Sequence, residues 1–550
     1  MKFKKALTVI LAASVMATSF GVPAMAAGQP VIDKEQKTEI TAANVKKITG
    51  KIAAMTEQDG KKYINENNCP MLVAGLIGEI YIHPKKTPAE QKAQQVITEK
   101  MAKLAKYAYN QLSEEEKAAV PEIPEGYEYP GAGGADYFVS TGDASKDNPL
   151  NTAPTKDKEI IVASFGTSYT DSRIKTIGGI EKAITKAYPK YDVRRAFTSQ
   201  VIINHILARD EEHINTIRES LEQAKKAGVK EVIIQPTTLM SGTEYDLLVN
   251  DVKDNKGSMT VTIAKPLLNT DADRKAVAQN IASAAAKSAG FQSVSDAKDT
   301  AFVFMGHGTS HEAKATYTVM QQVYDSLGYK NVFVGTVEGE PESTSLENTI
   351  KKVQDDKKYK NVVLRPLMVV AGDHANNDMA GDDEDSWKTG FINKGFAVMP
   401  QINGLGEISE VQQIYVSHVK DAIEKAAAAK KAEEAKKAAA AKKAAAAKKK
   451  AAEKKAARAF KARKVGGLKV KGKKKAVKVT FKKVKGAKSY TVAYKVGKAK
   501  KWKYKTIKST KLTLKAKSRK KVKVTVKANT KIGGKKYSTK YAKSKSAKTR

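Results

Sequence analysis

The sequence predicts an α/β core of two similar, doubly wound parallel-sheet lobes facing a central cleft. Flanking it are an N-terminal helical region, a Lys/Ala-rich helical spacer and a C-terminal β-sandwich. Three observations carry this reading. Short apolar strands alternate with helical stretches over residues 158–427. Two motifs recur in the same order within that span. Beyond it the composition shifts first to Ala and Lys, then to alternating apolar and basic residues.

The strands of the core read as IIVASF (160–165), VRRAF (193–197), VIIQP (232–236), VTIAKP (261–266), AFVFMG (301–306), VFVGTV (332–337) and VVLRPL (362–367). SFGTSYTD (164–171) matches GHGTSHEA (306–313) at an offset of 142 residues. VIIQPTTLMSGTEYD (232–246) matches VVLRPLMVVAGDHAN (362–376) at an offset of 130. Ordered repetition of this kind implies duplication, and a ligand site where the carboxyl ends of both sheets open onto one cleft.

Residues 1–26 read as a secretory signal, with Lys2, Lys4 and Lys5, an apolar run over 6–15, and the small-x-small site Ala24-Met25-Ala26. Residues 27–119 carry helical periodicity through Val45, Ile48, Ile52 and Met55, and again through Val96, Met101 and Leu104. Residues 120–157, rich in Pro, Gly, Asp and Asn, read as a linker. A spacer helix is expected over 428–465, and a basic β-sandwich similar to a fibronectin type III repeat over 466–550. One cysteine, Cys69, excludes an internal disulfide scaffold, and no run of apolar residues after the signal is long enough to span a bilayer.

The formal charge of +41 is concentrated in one place. Residues 421–550 hold 49 basic and 5 acidic residues, whereas residues 1–420 hold 50 basic and 53 acidic. An exported chain with such a tail is expected to meet an anionic cell-wall polymer or membrane surface, without specific nucleic-acid binding.

The lobes differ at three strand ends. Phe165 aligns with His307, Thr198 with Glu338, and Glu244 with His374. His307, Glu338 and His374 thus bring imidazole and carboxylate to one end of the second lobe. Such a set suits a divalent first-row metal with coordination left open for a substrate. The turns Gly166-Thr167-Ser168 and Gly308-Thr309-Ser310, with Arg194 and Arg195, could bind an anionic substrate. His205 and His213 read as helix-surface residues, His311 as an outer-shell group, and Asp382–Asp385 as a solvated acidic loop.

VASFGTSYTDSR, RRAFTSQVIINHILARD, FMGHGTSHEA, VGTVEGEP and LMVVAGDHANNDMAGDDEDSWK together resemble the anaerobic-type sirohydrochlorin cobaltochelatases, the CbiK family of class II tetrapyrrole chelatases. The resemblance covers residues 158–427. It implies a lyase that inserts a divalent metal (Co2+ first, Fe2+ or Ni2+ as alternatives) into sirohydrochlorin or a related tetrapyrrole, as in cobalamin synthesis, with no organic cofactor. It also implies His307 as proton acceptor and metal ligand, with Glu338 and His374 as further ligands. Many relatives have a histidine where this chain has Thr238. The alternative is a non-catalytic envelope protein that captures tetrapyrrole or metal in the same cleft. The expected location is extracytoplasmic, at the cell surface or wall.

Overall fold

The computed structural model describes residues 39–83 and 85–550. The expected secretory signal at 1–26 lies outside the described residues, as does the stretch 27–38. None of the described helices is long and apolar enough to cross a membrane.

Each lobe is a four-stranded parallel sheet. The first holds β1 (Lys158–Ser164), β2 (Asp192–Phe197), β3 (Glu231–Pro236) and β4 (Thr260–Ile263) in the order β2-β1-β3-β4. The second holds β5 (Thr300–Gly306), β6 (Val332–Thr336), β7 (Asn361–Pro366) and β8 (Ala397–Pro400) in the order β6-β5-β7-β8. The two orders are the same, as the sequence repeat implies. The strand β8 was not anticipated, because its side chains alternate between exposed and half-buried and give no continuous apolar run. β4 stops short of the expected 266, where Pro266 has no N–H to offer a ladder.

Apolar runs form these strands because both faces are covered. Along β1, Ile160 and Val162 enter one core while Ile161 and Ala163 enter another on the opposite face. Phe302 and Phe304 of β5 join the core that holds Ile160 and Val162. One apolar layer therefore runs between the lobes and fixes them against each other. The start of a 53-residue helix, Ser409–Lys461, adds Val411, Tyr415 and Val419 to that layer. The Tyr415 hydroxyl donates to the Thr237 carbonyl at 2.9 Å, just past the end of β3.

Helices α1 (Val45–Ala54), α2 (Glu57–Asn67), α3 (Pro70–Ile80), α4 (Pro88–Asn110) and α5 (Glu114–Ala118) form the N-terminal region. They close around the apolar α3, whose Leu72, Val73, Leu76, Ile77 and Ile80 are all fully buried.

The stretch 120–157 is not a linker. Tyr127, Tyr129, Tyr137 and Phe138 are buried in the helical core together with Leu207 and Ala208 of the first lobe. Asp147, 2% exposed, is gripped by Arg173 Nε at 2.6 Å and Arg195 Nη1 at 2.7 Å. The glycines of this stretch supply turns (Gly126, Gly131, Gly133 and Gly134 all have positive φ) while its aromatic residues supply burial. Turn composition here produces an ordered wrap rather than slack chain.

Residues 427–550 form a separate compact unit. The expected spacer is the continuation of the Ser409–Lys461 helix, unbroken because Ala and Lys are strong helix formers. After it, two antiparallel sheets pack as a β-sandwich. One runs β13 (Lys511–Lys515), β10 (Ala476–Thr480), β9 (Lys469–Lys473). The other runs β12 (Lys503–Ile507), β11 (Ser489–Val496), β14 (Lys521–Ile532), β15 (Lys535–Ser538), with β16 (Lys545–Lys548) also paired to β14. Val477, Val479, Tyr490, Val492, Leu514, Val522, Val524 and Val526 fill its core.

Candidate active site

Both lobes make the same turn after their first strand. Gly166 and Gly308 have φ of +99° and +94°, and the hydroxyls of Thr167 and Thr309 accept the amides of Tyr169 and His311, each at 3.2 Å. A side chain at Gly308 would also bring its Cβ within 2.9 Å of the Glu338 Cβ. This glycine lets the β5 turn lie against the β6 turn.

Backbone pairing corrects one alignment. Glu338 N–H donates to the His307 carbonyl, and the matching bond in the first lobe runs from Ser199 to Phe165. The counterpart of Glu338 is therefore Ser199, not Thr198. The other two correspondences hold: Phe165 and His307 each follow the first strand, and Glu244 and His374 each sit two residues past a glycine at a helix start.

His307 follows β5 directly, and His374 precedes a single π-helical turn, Ala375–Met379, after β7. Their rings meet edge to face, with centroids 4.6 Å apart and planes at 83°. His307 Nδ1–H donates to the Gly308 carbonyl at 2.8 Å, and His374 Nδ1–H donates to Asp378 Oδ2 at 2.8 Å. With Nδ1 protonated in each ring, the lone pair of each neutral imidazole falls on Nε2.

The two rings titrate in opposite directions. Burial, reinforced by the neighbouring His374, pulls His307 down to about 4, so it stays neutral at physiological pH. For His374 burial opposes the charge, but the Asp378 hydrogen bond and the carboxylates of Asp378, Asp373 and Glu338 outweigh it and raise the pKa. Glu338 thus acts on His374 through its charge. Among the described residues no three His, Cys, Asp or Glu side chains close on a single point in metal-binding geometry. The expected three-ligand set is a facing pair of imidazoles with a carboxylate beside them.

Glu244 carries no motif signal of its own, and the structure places it in the field of His374. Loss of hydration pushes its carboxyl up to about 7, opposed by the charge of His374, although the residue keeps an exposed surface. A carboxylate at the site of a histidine in the duplicate lobe was the signal available for it. Phe165, at the first-lobe position matching His307, is 44% exposed.

Arg194 and Arg195, expected to bind substrate, are buried and occupied. Arg194 Nη1 donates to Glu159 Oε1 at 2.8 Å, and Arg195 is held by Glu181 and Asp147 at 2.7–2.9 Å. Strand alternation sends both inward, one to each face of the sheet. In the first turn Gly166, Thr167 and Ser168 are buried as well. The Ser168 carbonyl takes hydrogen bonds from Arg209 and Thr141, and Thr167 packs against Gly372 of the second lobe. In the second turn the Gly308 amide is bonded to the Tyr317 hydroxyl at 3.2 Å, Thr309 is half-buried and Ser310 is exposed. The second turn, not the first, keeps a side chain available to a ligand.

His205 is no surface residue. It stacks on Tyr137 with ring centroids 4.1 Å apart. His213 lies between Glu99 and Glu219, and His311 Nε2 stands 3.5 Å from Asp246 across the lobes. Asp382–Asp385 are exposed.

Residues 158–424 match the cobalt chelatase (CbiK) family. The chain is 35% identical over 270 residues to the sirohydrochlorin cobaltochelatase of Salmonella typhimurium, covering 97% of that protein and 49% of this one. The chain belongs to the cobalt chelatase family. A second chelatase, the sirohydrochlorin cobaltochelatase CbiKC of Nitratidesulfovibrio vulgaris, is 30% identical over 280 residues, with 94% of that protein and 50% of this one covered. The chelatase span is thus the two-lobed core. The N-terminal wrap and the basic unit lie outside it.

Proposed function

We propose that this chain inserts a divalent metal, cobalt first, into sirohydrochlorin or a related tetrapyrrole in the cleft between its lobes. The facing imidazoles of His307 and His374, each with its Nε2 lone pair free of the backbone, carry this reading. Two neutral nitrogens with the Glu338 carboxylate beside them suit a borderline metal ion that must be held and then released. Insertion exchanges one M2+ for the two N–H protons of the macrocycle, so the cleft needs a proton acceptor. His307 was expected in that role, but a group titrating near 4 retains little proton at neutral pH. Glu244, raised to about 7 in the field of His374, matches the task better. The exposed Phe165 offers an apolar surface to a flat macrocycle.

The test is cobalt insertion by the purified chain, followed by the absorbance change of sirohydrochlorin. Multiple turnovers support catalysis, whereas one equivalent bound without further conversion supports capture instead.

The signal-like start of the chain and its basic unit further support export and attachment to an anionic cell-wall polymer at the surface. From Lys454 to the end there is no acidic residue. Attachment through charge should reverse between physiological and molar salt, as the screening length falls from about 8 Å to about 3 Å. Truncation before Ala428 should release the protein from isolated cell walls and leave turnover unchanged.

A further inference from the structure

The basic unit is more than a diffuse cloud of lysines, because the two faces of its larger sheet differ. Along β14, Val522, Val524, Val526 and Ala528 point into the sandwich core and are fully buried. Lys521, Lys523 and Lys527 alternate with them and take the outer face. Register carries that face across the sheet: Thr491 pairs with Lys527, Ala493 with Thr525, Lys495 with Lys523, and Ala493 on its other side with Tyr504.

At the far side of β14 the Ala542 amide donates to the Val526 carbonyl at 2.8 Å, which sets Tyr541 beside Lys527. Lys527 Nζ lies 5.2 Å from the Tyr541 ring centroid, and Lys495 Nζ lies 5.0 Å from that of Trp502. Tyr504 and Tyr541 are 64% and 41% exposed. The side chains between them, Thr491, Ala493 and Thr525, are small, and Ala493 and Thr525 are buried, so the exposed surface there belongs to the two rings and the flanking lysines. Single exposed tyrosines need no explanation. Two on one face, interleaved with lysines in a sandwich without acidic residues, do.

We propose that this outer face binds an anionic polysaccharide, with Tyr504 and Tyr541 stacking on sugar rings and Lys495, Lys523 and Lys527 pairing with its carboxylates or phosphates. The inference rests on the surface-attachment reading above and adds to it a located site and a preference for sugar. Flat rings match the C–H faces of pyranoses, and lysine is a mobile point charge suited to repeated anions along a chain. A nucleic-acid reader would favour arginine forks, yet only four of the 39 basic residues from Lys454 onward are arginine.

The experiment compares the full chain with Y504A, Y541A and the double variant against four probes: polygalacturonate, polyphosphate, oligo(dT) and phosphatidylglycerol vesicles. Both tyrosines lie outside the sandwich core, and an unchanged melting curve confirms each variant's fold. The double variant should bind polygalacturonate about tenfold more weakly, a loss of roughly 1.4 kcal/mol, while its affinity for polyphosphate, which has no sugar, stays the same. Equal losses for both polymers, or none for polygalacturonate, would overturn the sugar site while leaving charge attachment standing. Tighter binding of oligo(dT) or vesicles than of polygalacturonate, lost in the same variants, would reassign the face. Failure of the wild-type chain to bind any polyanion at low salt would remove the attachment reading along with this one.

Discussion

His374 Nδ1 lies 2.8 Å from Asp378 Oδ2, four residues further along the chain. This contact fixes both the tautomer of the imidazole and its affinity for protons. It also gives the site a pH dependence that the facing His307, bonded to a carbonyl instead of a carboxylate, does not share.

Replacing Asp378 with Asn should lower the pKa of His374, since the hydrogen bond and nearby charge that offset burial are lost. A metal competes with that proton, so the acid limb of cobalt binding should move to lower pH in D378N. The sign for stability follows from linkage. A histidine raised above its ordinary 6.5 stabilises the fold fully below that value and loses the contribution as pH rises through the raised pKa. The stability gap between wild type and D378N should therefore shrink with rising pH. Calorimetric cobalt titrations and melting curves between pH 5 and 8, chosen around the ordinary histidine range, read both effects; a fixed acid limb would count against the contact.

His307→Ala should leave the fold intact and reduce insertion by at least about 100-fold. The side chain belongs to none of the apolar cores, so its loss opens no cavity there. A well-folded variant with normal turnover would remove His307 from the site.

Glu244→Gln keeps the shape and removes the titration. Wild-type kcat/KM should fall as pH drops below about 7, where the raised carboxyl takes up its proton. In E244Q the rate should be low at every pH and that limb absent. A retained limb would assign it to His374.

Asp147→Ala tests the wrap outside the family span. It strands Arg173 and Arg195, both fully buried, with fewer carboxylates to balance them. Breaking a buried network of this kind costs about 3 kcal/mol or more. Thermal melting should show a clear drop. A change within about 0.5 kcal/mol, the range of ordinary surface substitutions, would mean that the wrap is dispensable.

Glu338→Gln should weaken cobalt binding, because it removes a charge that acts on His374. Unaltered cobalt titration would exclude it as a ligand.

The linear sequence determined the two-lobed fold. Continuous apolar runs in β1, β3, β5 and β7 can be satisfied only by strands covered on both faces, and the repeated Gly-Thr-Ser turn by itself marks the duplication. It also placed His307 and Glu338 just past strand ends and His374 in the segment after β7, because position after a strand is a local property. Contacts between distant segments were not legible in this way. Whether Arg195 faces substrate or Asp147 depends on a partner 48 residues away. Glu244 acquires its shift only from desolvation by other parts of the fold, and the correspondence of Glu338 with Ser199 shows only in matching backbone bonds, which the alignment missed by one residue. Local pattern settles which residues become strands and turns; burial and charge at a site are sums over neighbours that only the folded chain assembles.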